Sequence, residues 1–312
     1  MEQPRGILLI FLDGVGIGVP DPEVNPFASA RLGFFPGFLD PGTGRTMSVR
    51  FPPQGSVLAR EGRYGAADAC LGVSGTPQSA TGQATLFTGI NCAKVLGHHL
   101  TAFPNEVLRA IVREENLLVR AVRSGRSAAF LNTYTPLFHE MGWPHSVSTV
   151  TALSLGRPLF GLEDMLAGKA LYHDITQHRL RRRYGARIPV FDPEEAGARL
   201  ARAAQSWDLA LFEHFWTDRV GHRGEPGLAM AQVETVERFL AGVLGGLPRD
   251  RWLVVLTSDH GNLEDLSTRG HTRNPVPISA WGPGADEVIR RTRDLTDVAP
   301  VLLDILGPAP GR

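Results

Sequence analysis

Carboxylates and imidazoles recur where apolar runs of this chain end. Asp13 follows ILLIFL, Asp218 and His222 follow LALFEHFW, Asp259 and His260 follow WLVVLTS, and His271 lies in GHTRNPVPI just ahead of another apolar run. One Asp at a strand end is ordinarily a loop or cap residue, but six such groups delivered by four segments are hard to explain as caps. Carboxylate and neutral imidazole are ligands of divalent ions such as zinc and manganese, and three of each suffice for two ions. Two ions roughly 3.5–4 Å apart hold an attacking oxygen on one and phosphoryl oxygens between both, so the pattern points to phosphoryl transfer. In Asp218-x-x-x-His222, Gly221 is expected to let a loop turn back so that both side chains meet one ion without helical geometry. Asp259 and His260, being adjacent, would oppose each other on a strand and must lie where it has already ended.

Such chemistry needs a nucleophile, and GVSGTPQSATGQATLFTG, residues 72–89, offers a hydroxyl cluster among small residues that leave room for substrate. The apolar pattern from Ala84 predicts a helix starting at or just after that cluster, whose N-terminal amides favour an anion. Without the six metal candidates the cluster would read as a turn with capping hydroxyls.

These groups need elements to position them. Runs at Ile7 to Leu12, Ala128 to Asn132, Leu209 to Glu213, Leu253 to Thr257 and Val276 to Trp281 have the branched, apolar make-up of buried parallel strands. Helical patterns alternate with them at Asn105 to Val112, Asn116 to Ser124, Glu194 to Gln205, Leu228 to Leu244 and Thr296 to Leu306. The alternation predicts an α/β fold, a doubly wound, mostly parallel sheet with helices on both faces and ligands at the carboxyl ends of the strands. Residues 135–192 break the rhythm with Trp143-Pro144, a Ser/Thr-rich stretch and the basic run Arg179 to Arg183. They are expected to form a small insertion or cap on a core of 1–134 and 193–312. A Gly- and Pro-rich stretch, about Phe27 to Gly62, is expected to loop over a sheet edge.

Composition narrows the classes. The 312 residues are 43% hydrophobic and 21% charged, enough apolar material for a sizeable core, and no block recurs as a repeat. Lys plus Arg and Asp plus Glu both number 32, a balance that argues against holding nucleic acid by counterion release. Cys70 and Cys92 are too few for a disulfide framework and read as buried thiols. No signal peptide or membrane span is evident, and a cytoplasmic location is the default expectation.

The motifs FLDGVGIG, TDRVGHRG, TSDHGNLED and GHTRNPVPI, in that order, resemble the metalloenzyme domain of the alkaline phosphatase superfamily, nearest its branch with cofactor-independent phosphoglycerate mutase and phosphopentomutase. The closing LTDVAPVLLDILG resembles that superfamily's C-terminal helix. The resemblance implies an alkaline-phosphatase-like fold with Asp13, Ser79, Asp259 and His260 around one ion and Asp218, His222 and His271 around the other. Ser79 stands three residues before Gly82, as the mutases' nucleophile precedes a glycine; Thr81 and Thr76 are the alternatives. The chain departs from the mutases in carrying Gln83 where they have His, in its shortness, and in lacking their phosphoglycerate-holding cap motifs. It lacks the sulfatases' Cys/Ser-x-Pro-x-Arg motif as well.

The expected activity is two-metal phosphoryl transfer on a small phosphomonoester through a phosphoserine, as phosphomutase or phosphatase, with manganese, zinc or magnesium. The alternatives are a non-catalytic metal-binding regulatory protein and a phosphodiesterase of the same superfamily. Neither nucleic acid nor membrane is an expected partner, and the oligomeric state stays open. His98, His99, His139, His145, His173, His178 and His214 read as structural, with His214 facing the core. Arg219, Arg223 and Arg273 lie beside ligand candidates and could grip phosphate, but arginine is too abundant for any one to be singled out.

Overall fold

The computed structural model describes residues 3–30, 33–35, 37–40, 42–43, 46–48, 61–142 and 144–309. Trp143 and much of the 27–62 stretch, including 49–60, lie outside them. The strands are β1 (Gly6–Leu12), β2 (Gly37–Leu39), β3 (Thr46–Ser48), β4 (Arg63–Ala67), β5 (Ala128–Phe130), β6 (Leu209–His214), β7 (Trp252–Thr257) and β8 (Val276–Trp281). Six of them form one sheet in the order β4-β8-β7-β1-β6-β5, while β2 and β3 pair as a separate antiparallel ribbon.

Around β1 the sheet is parallel. β1 pairs with β6 from Ile7↔Leu209 to Leu12↔His214 and with β7 from Gly6↔Trp252 to Phe11↔Thr257, and β5 runs parallel to β6. β8 is antiparallel to both β7 and β4, which makes the sheet mostly rather than wholly parallel. The reason for the unbroken apolar runs is burial on both faces. Ile7, Leu9 and Phe11 enter one core and Leu8, Ile10 and Leu12 the other, as the two-residue period of a strand dictates. Each fully buried aliphatic side chain is worth roughly 1.5–3 kcal/mol by transfer, so the central strands are the firmest part of the molecule.

Helices cover both faces. Ser79–Thr88, Glu106–Glu115 and Leu295–Leu306 contribute Ala84, Leu108 and Leu302 to the first core. Pro193–Ala204 and Pro226–Gly246 contribute Leu200 and Phe239 to the second. Within 135–192, helix Val147–Leu153 packs Val147 and Val150 into the first core, and Leu171 and Ile175 join the second. Leu162, Met165, Leu180 and Ile188 form a third, smaller cluster of their own.

Three of the parallel strands, β1, β6 and β7, therefore release their chain at one edge, each with acidic or imidazole side chains within the next eight residues. The loop carrying His271 arrives at the same edge ahead of the antiparallel β8, with Thr272 bridged to Gly261.

Candidate metal centre

Asp13 leaves β1 buried, at 8% exposure, and its Oδ1 stands 3.3 Å from His260 Nε2. Asp259 and His260 follow the end of β7, fully buried, with Asp259 Oδ2 3.4 Å from the same Nε2. Their loop is fixed by Ser258, whose Oγ accepts from Val15 N at 2.9 Å and donates to the His260 carbonyl at 3.1 Å. Ser79 is the first residue of helix Ser79–Thr88, and its Oγ lies 2.9 Å from His260 Nε2. The helix thus starts within the hydroxyl cluster, and it comes this near because Gly82 has no side chain. A Cβ there would stand 2.7 Å from the Asp259 carbonyl oxygen.

Asp218 and His222 differ from the expected loop. They occupy one helical turn, in and just after Trp216–Gly221, with His222 N donating to the Asp218 carbonyl at 3.0 Å. The i, i+4 spacing puts both side chains on one face, and His222 Nε2 sits 3.3 Å from Asp218 Oδ2. Gly221 serves close approach rather than a reversal: a Cβ there would meet Asn262 Oδ1 at 2.6 Å. Asn262 uses that proximity to donate to Asp218 Oδ1 at 2.7 Å. His271 completes the group, with Nε2 3.4 Å from Asp218 Oδ1 and 3.3 Å from His222 Nε2.

The ring nitrogens have defined roles. His222 Nδ1 faces the Arg269 carbonyl at 2.6 Å and His271 Nδ1 the Pro77 carbonyl at 2.9 Å. A carbonyl only accepts, so each Nδ1 carries a proton, and each Nε2 either donates to Asp218 in the protonated ring or presents a lone pair in the neutral one. In the neutral rings, two lone pairs facing each other beside a carboxylate call for a cation, and such backbone-anchored imidazoles are the usual metal-ligating arrangement. Asp13 Oδ1 and Asp259 Oδ2 are buried with no hydrogen-bond partner among the described residues, which is the same demand from the other side. Asp218, His222 and His271 each offer an atom within 4.8 Å of the others, and so do Asp13, Asp218 and His260. Asp218 belongs to both groups and stands between them.

The charges report the same crowding. Burial, then Asp259 and Asp218, raise the Asp13 carboxyl to about 7. Asp259 rises to about 6 chiefly by burial, partly offset by His260. Burial acts to lower His260, but Asp259, Asp13 and Asp218 push it up to about 10. Burial would also raise Asp218, yet hydrogen bonds from His222 and His271 hold it well below the usual carboxylate range. Carboxylates sharing so dry a space need positive charge, and divalent ions would fit the donor set.

Among the other hydroxyls, Thr81 is fully buried, donating to the Gln78 carbonyl at 3.2 Å and accepting from Leu100 N at 3.2 Å. No hydrogen bond joins Thr76 to the cluster among the described residues. Gln83 is buried beside Asp13, its Nε2 3.4 Å from Oδ2. Arg273 donates to the Gly75 carbonyl, tying the His271 loop to the nucleophile loop. His214 is buried in the core, bonded to the His173 carbonyl and to Gln232.

Two buried acids went unread in the sequence. Glu264 is wholly buried and accepts from Gly16 N and Asn262 N, each at 2.8 Å, from Asn274 Nδ2 at 3.0 Å, and from Thr272. It binds together the loops that follow β1 and β7 and the loop that carries His271. Its place in TSDHGNLED, four residues after His260, was the available signal. Glu213, at the end of β6, accepts from Ser148 Oγ at 2.8 Å, and burial and then Asp13 raise its carboxyl to about 8.

The fold is α/β, and oxygen and nitrogen atoms that could hold a metal ion gather at the carboxyl edge of its sheet. Residues 192–310 match the family model of the Metalloenzyme superfamily. A 2,3-bisphosphoglycerate-independent phosphoglycerate mutase of Paracoccus denitrificans is 35% identical over 127 residues, 38% of this chain and 25% of that protein. The chain thus spans about a quarter of the length of that curated relative. The fold is similar to that of the PH0037 protein from Pyrococcus horikoshii, with TM-score 0.58 and 17% identity over 100% of this chain and 99% of that one. It is also similar to the alkaline phosphatase of the Antarctic bacterium TAB5, with TM-score 0.51 and 13% identity over 98% and 99%. The family match is thus confined to residues 192–310, and the two solved structures show that the chain as a whole has an alkaline-phosphatase-like fold.

Proposed function

We propose that this chain transfers the phosphoryl group of a small phosphomonoester through a phosphoserine at Ser79. The supporting relatives are a phosphoglycerate mutase and an alkaline phosphatase, whose shared theme is phosphoryl transfer. The single observation that carries the reading is the Ser79 hydroxyl 2.9 Å from His260 Nε2, at the mouth of a buried group of carboxylates and imidazoles. Asp13, Ser79, Asp259 and His260 would hold one divalent ion and Asp218, His222 and His271 the other, with manganese, zinc or magnesium suited to such donors. When bound, these ions supply positive charge that favours the serine alkoxide and neutralises the phosphoryl oxygens.

Ser79 Oγ gives up its proton to solvent and forms a bond to phosphorus as the ester P–O bond opposite it breaks, and the departing oxygen takes a proton from solvent, so that protons balance. The phosphoserine then passes its phosphoryl group to water, giving hydrolysis, or to another hydroxyl of the same molecule, giving a mutase reaction. Asn262 and Glu264 hold the ligand loops in place while this happens. Of residues 135–192, only the small cluster of Leu162, Met165, Leu180 and Ile188 stands apart from the two main cores, and it would serve as the cap that excludes water to the degree the second outcome requires.

Brief exposure to labelled phosphoester with manganese, magnesium or zinc, followed by acid quenching and peptide mapping, tests the reading. Label is expected on Ser79 and none in Ser79→Ala. Label on Thr81 or Thr76 would change the residue but keep the mechanism, whereas turnover with no label under any metal would point to direct attack by water.

A further inference from the structure

One feature of the cap has no part in the chemistry above. Helix His178–Tyr184 presents Arg179, Arg182 and Arg183 to an open groove of about 720 Å³, whose wall also includes Tyr184 and Glu140. Arg179 lies flat on the Trp216 ring, its guanidinium carbon 3.4 Å from the ring centroid. Trp216 begins the helix that carries Asp218, and Arg219 on that helix leans over Phe215 and Trp216, at 5.6 Å from each ring. Arg179 therefore connects the groove to the element that bears the metal-ligand candidates.

These cations face one another. Burial lowers the Arg179 pKa, Asp174 opposes that, and the positive charges of Arg223, Arg182 and Arg219 lower it further. Asp174 commits its two oxygens to the backbone N–H groups of Gln177 and Arg179. None of Arg179, Arg182, Arg183, Arg219 and Arg223 forms an ion pair among the described residues, although most other arginine-rich surfaces of the chain do. A solvated helix face explains a basic run on one helix. It does not explain why Arg179 and Arg219, from two separate elements, meet over one Trp216 ring with neither in an ion pair among the described residues, Asp174 being spent on backbone amides and Glu140 being the one acid of the groove wall. Like charges brought together cost energy unless an anion is meant to lie among them.

We propose that the substrate carries a second phosphate group, distant from the one transferred, and that Arg179, Arg182, Arg219 and Arg223 hold it. A phosphate fits better than a carboxylate on charge. One carboxylate, with a single negative charge, would leave most of the cluster uncompensated. A phosphate brings nearly two charges and three acceptor oxygens for guanidinium forks. Trp216 keeps Arg179 extended, so less freedom is lost when the anion binds.

This inference rests on the phosphoryl-transfer reading, and the two fail differently. Metal-loaded protein is assayed on three- to six-carbon sugar bisphosphates, the matching monophosphates, and phosphorylated sugar acids. The bisphosphates are expected to have the highest kcat/KM. In Arg179→Gln and in Arg182→Gln the ratio of bisphosphate to monophosphate kcat/KM should fall about tenfold or more, as expected for losing a charge-assisted contact. The pair guards against misfolding, because Arg182 is exposed and packs on no ring. If no ester turns over, the same sugars are titrated calorimetrically into the metal-loaded protein. Tighter binding of bisphosphate, lost in both variants, then sustains the second site while the activity reading fails. Equal use or binding of mono- and bisphosphates, a preference for sugar acids, or an unchanged ratio in both variants would overturn the proposal.

Discussion

At the residue scale, Asp218 is the position on which the proposed centre depends most. It alone among the candidates comes within ligand distance of both groups, with His222 and His271 on one side and Asp13 and His260 on the other. Asp218→Asn is therefore expected to lower the content of both ions, whereas His222→Ala should remove about one. Metal analysis after gel filtration distinguishes them, and equal losses in the two variants would contradict a shared carboxylate. The pH dependence follows from the raised groups. Asp13 at about 7 and Asp259 at about 6 hold protons that an unfolded chain releases near the ordinary 3.8, so stability falls as pH rises through that window. His260, at about 10 against 6.5, contributes stability that is full below 6.5 and lost as pH rises through 10. Asp218 works oppositely, its contribution being lost only as pH falls below 3.8. The metal-free protein should thus melt lower at about pH 8 than at about pH 5.5, and added manganese should raise the Tm more at the higher pH. A metal-free Tm that climbs over that interval would contradict the charge arrangement. Six of the site candidates were legible from residue type and the ends of apolar runs, whereas Ser79 was read from a resemblance to the mutases' nucleophile motif, with Thr81 and Thr76 as alternatives. Glu264 had a signal in its place within TSDHGNLED that residue type alone did not raise, and nothing in the chain marks Glu213, which accepts from Ser148 Oγ, apart from an acid that faces water.

At the scale of elements, the strands read from the sequence agree with the structure to within a residue or two, and for a common reason. β1, β6, β7 and β8 are buried on both faces, so their apolar runs are continuous and end abruptly. β4, RYGAA, was missed: its Gly and Ala carry little strand preference, and it exists through pairing with β8, which local pattern cannot report. The helical turn linking Asp218 to His222 was missed because Gly221 suggested a reversal, whereas its role is to admit Asn262. The loops between elements carry most of the ligand candidates, and Glu264 fastens three of these loops. Glu264→Gln keeps the size but has one acceptor oxygen, so with that oxygen turned to the backbone N–H groups of Gly16 and Asn262 the amide NH2 meets the Asn274 Nδ2 donor and the tie to the His271 loop is lost. Metal affinity is expected to fall roughly 10- to 100-fold, as for other groups that orient ligands. Titration with a competing chelator measures it, and unchanged affinity with an unchanged melt would remove Glu264 from the positioning role.

At the scale of the molecule, the two cores on either face of the sheet take in most of the chain, and residues 135–192 are divided between them and a third cluster. Val147, Val150, Leu171 and Ile175 are core residues, so removing the whole segment would expose both faces of the sheet rather than test a cap. The separable part is the small cluster of Leu162, Met165, Leu180 and Ile188, packed with Tyr172 and Tyr184, and it carries helix His178–Tyr184 with its arginines. A cluster this small opens more readily than the sheet, as lids and caps generally do. Leu180, 1% exposed, is its most useful probe. Leu180→Ala typically costs about 2–5 kcal/mol where the side chain is fully packed, and here that loss should fall on the local unit rather than on global stability. Hydrogen exchange read by mass spectrometry is expected to show faster exchange over 162–168 and 178–188, with the segment around Leu171 and Ile175 and strands β1, β6 and β7 unchanged and the bound metal retained. KM for the phosphoester should rise, because the arginine helix is no longer held against Trp216, where Arg179 stacks. Uniformly faster exchange together with a lower global Tm would mean that the cluster is continuous with the main cores, and residues 162–188 would then be part of the scaffold rather than a cap.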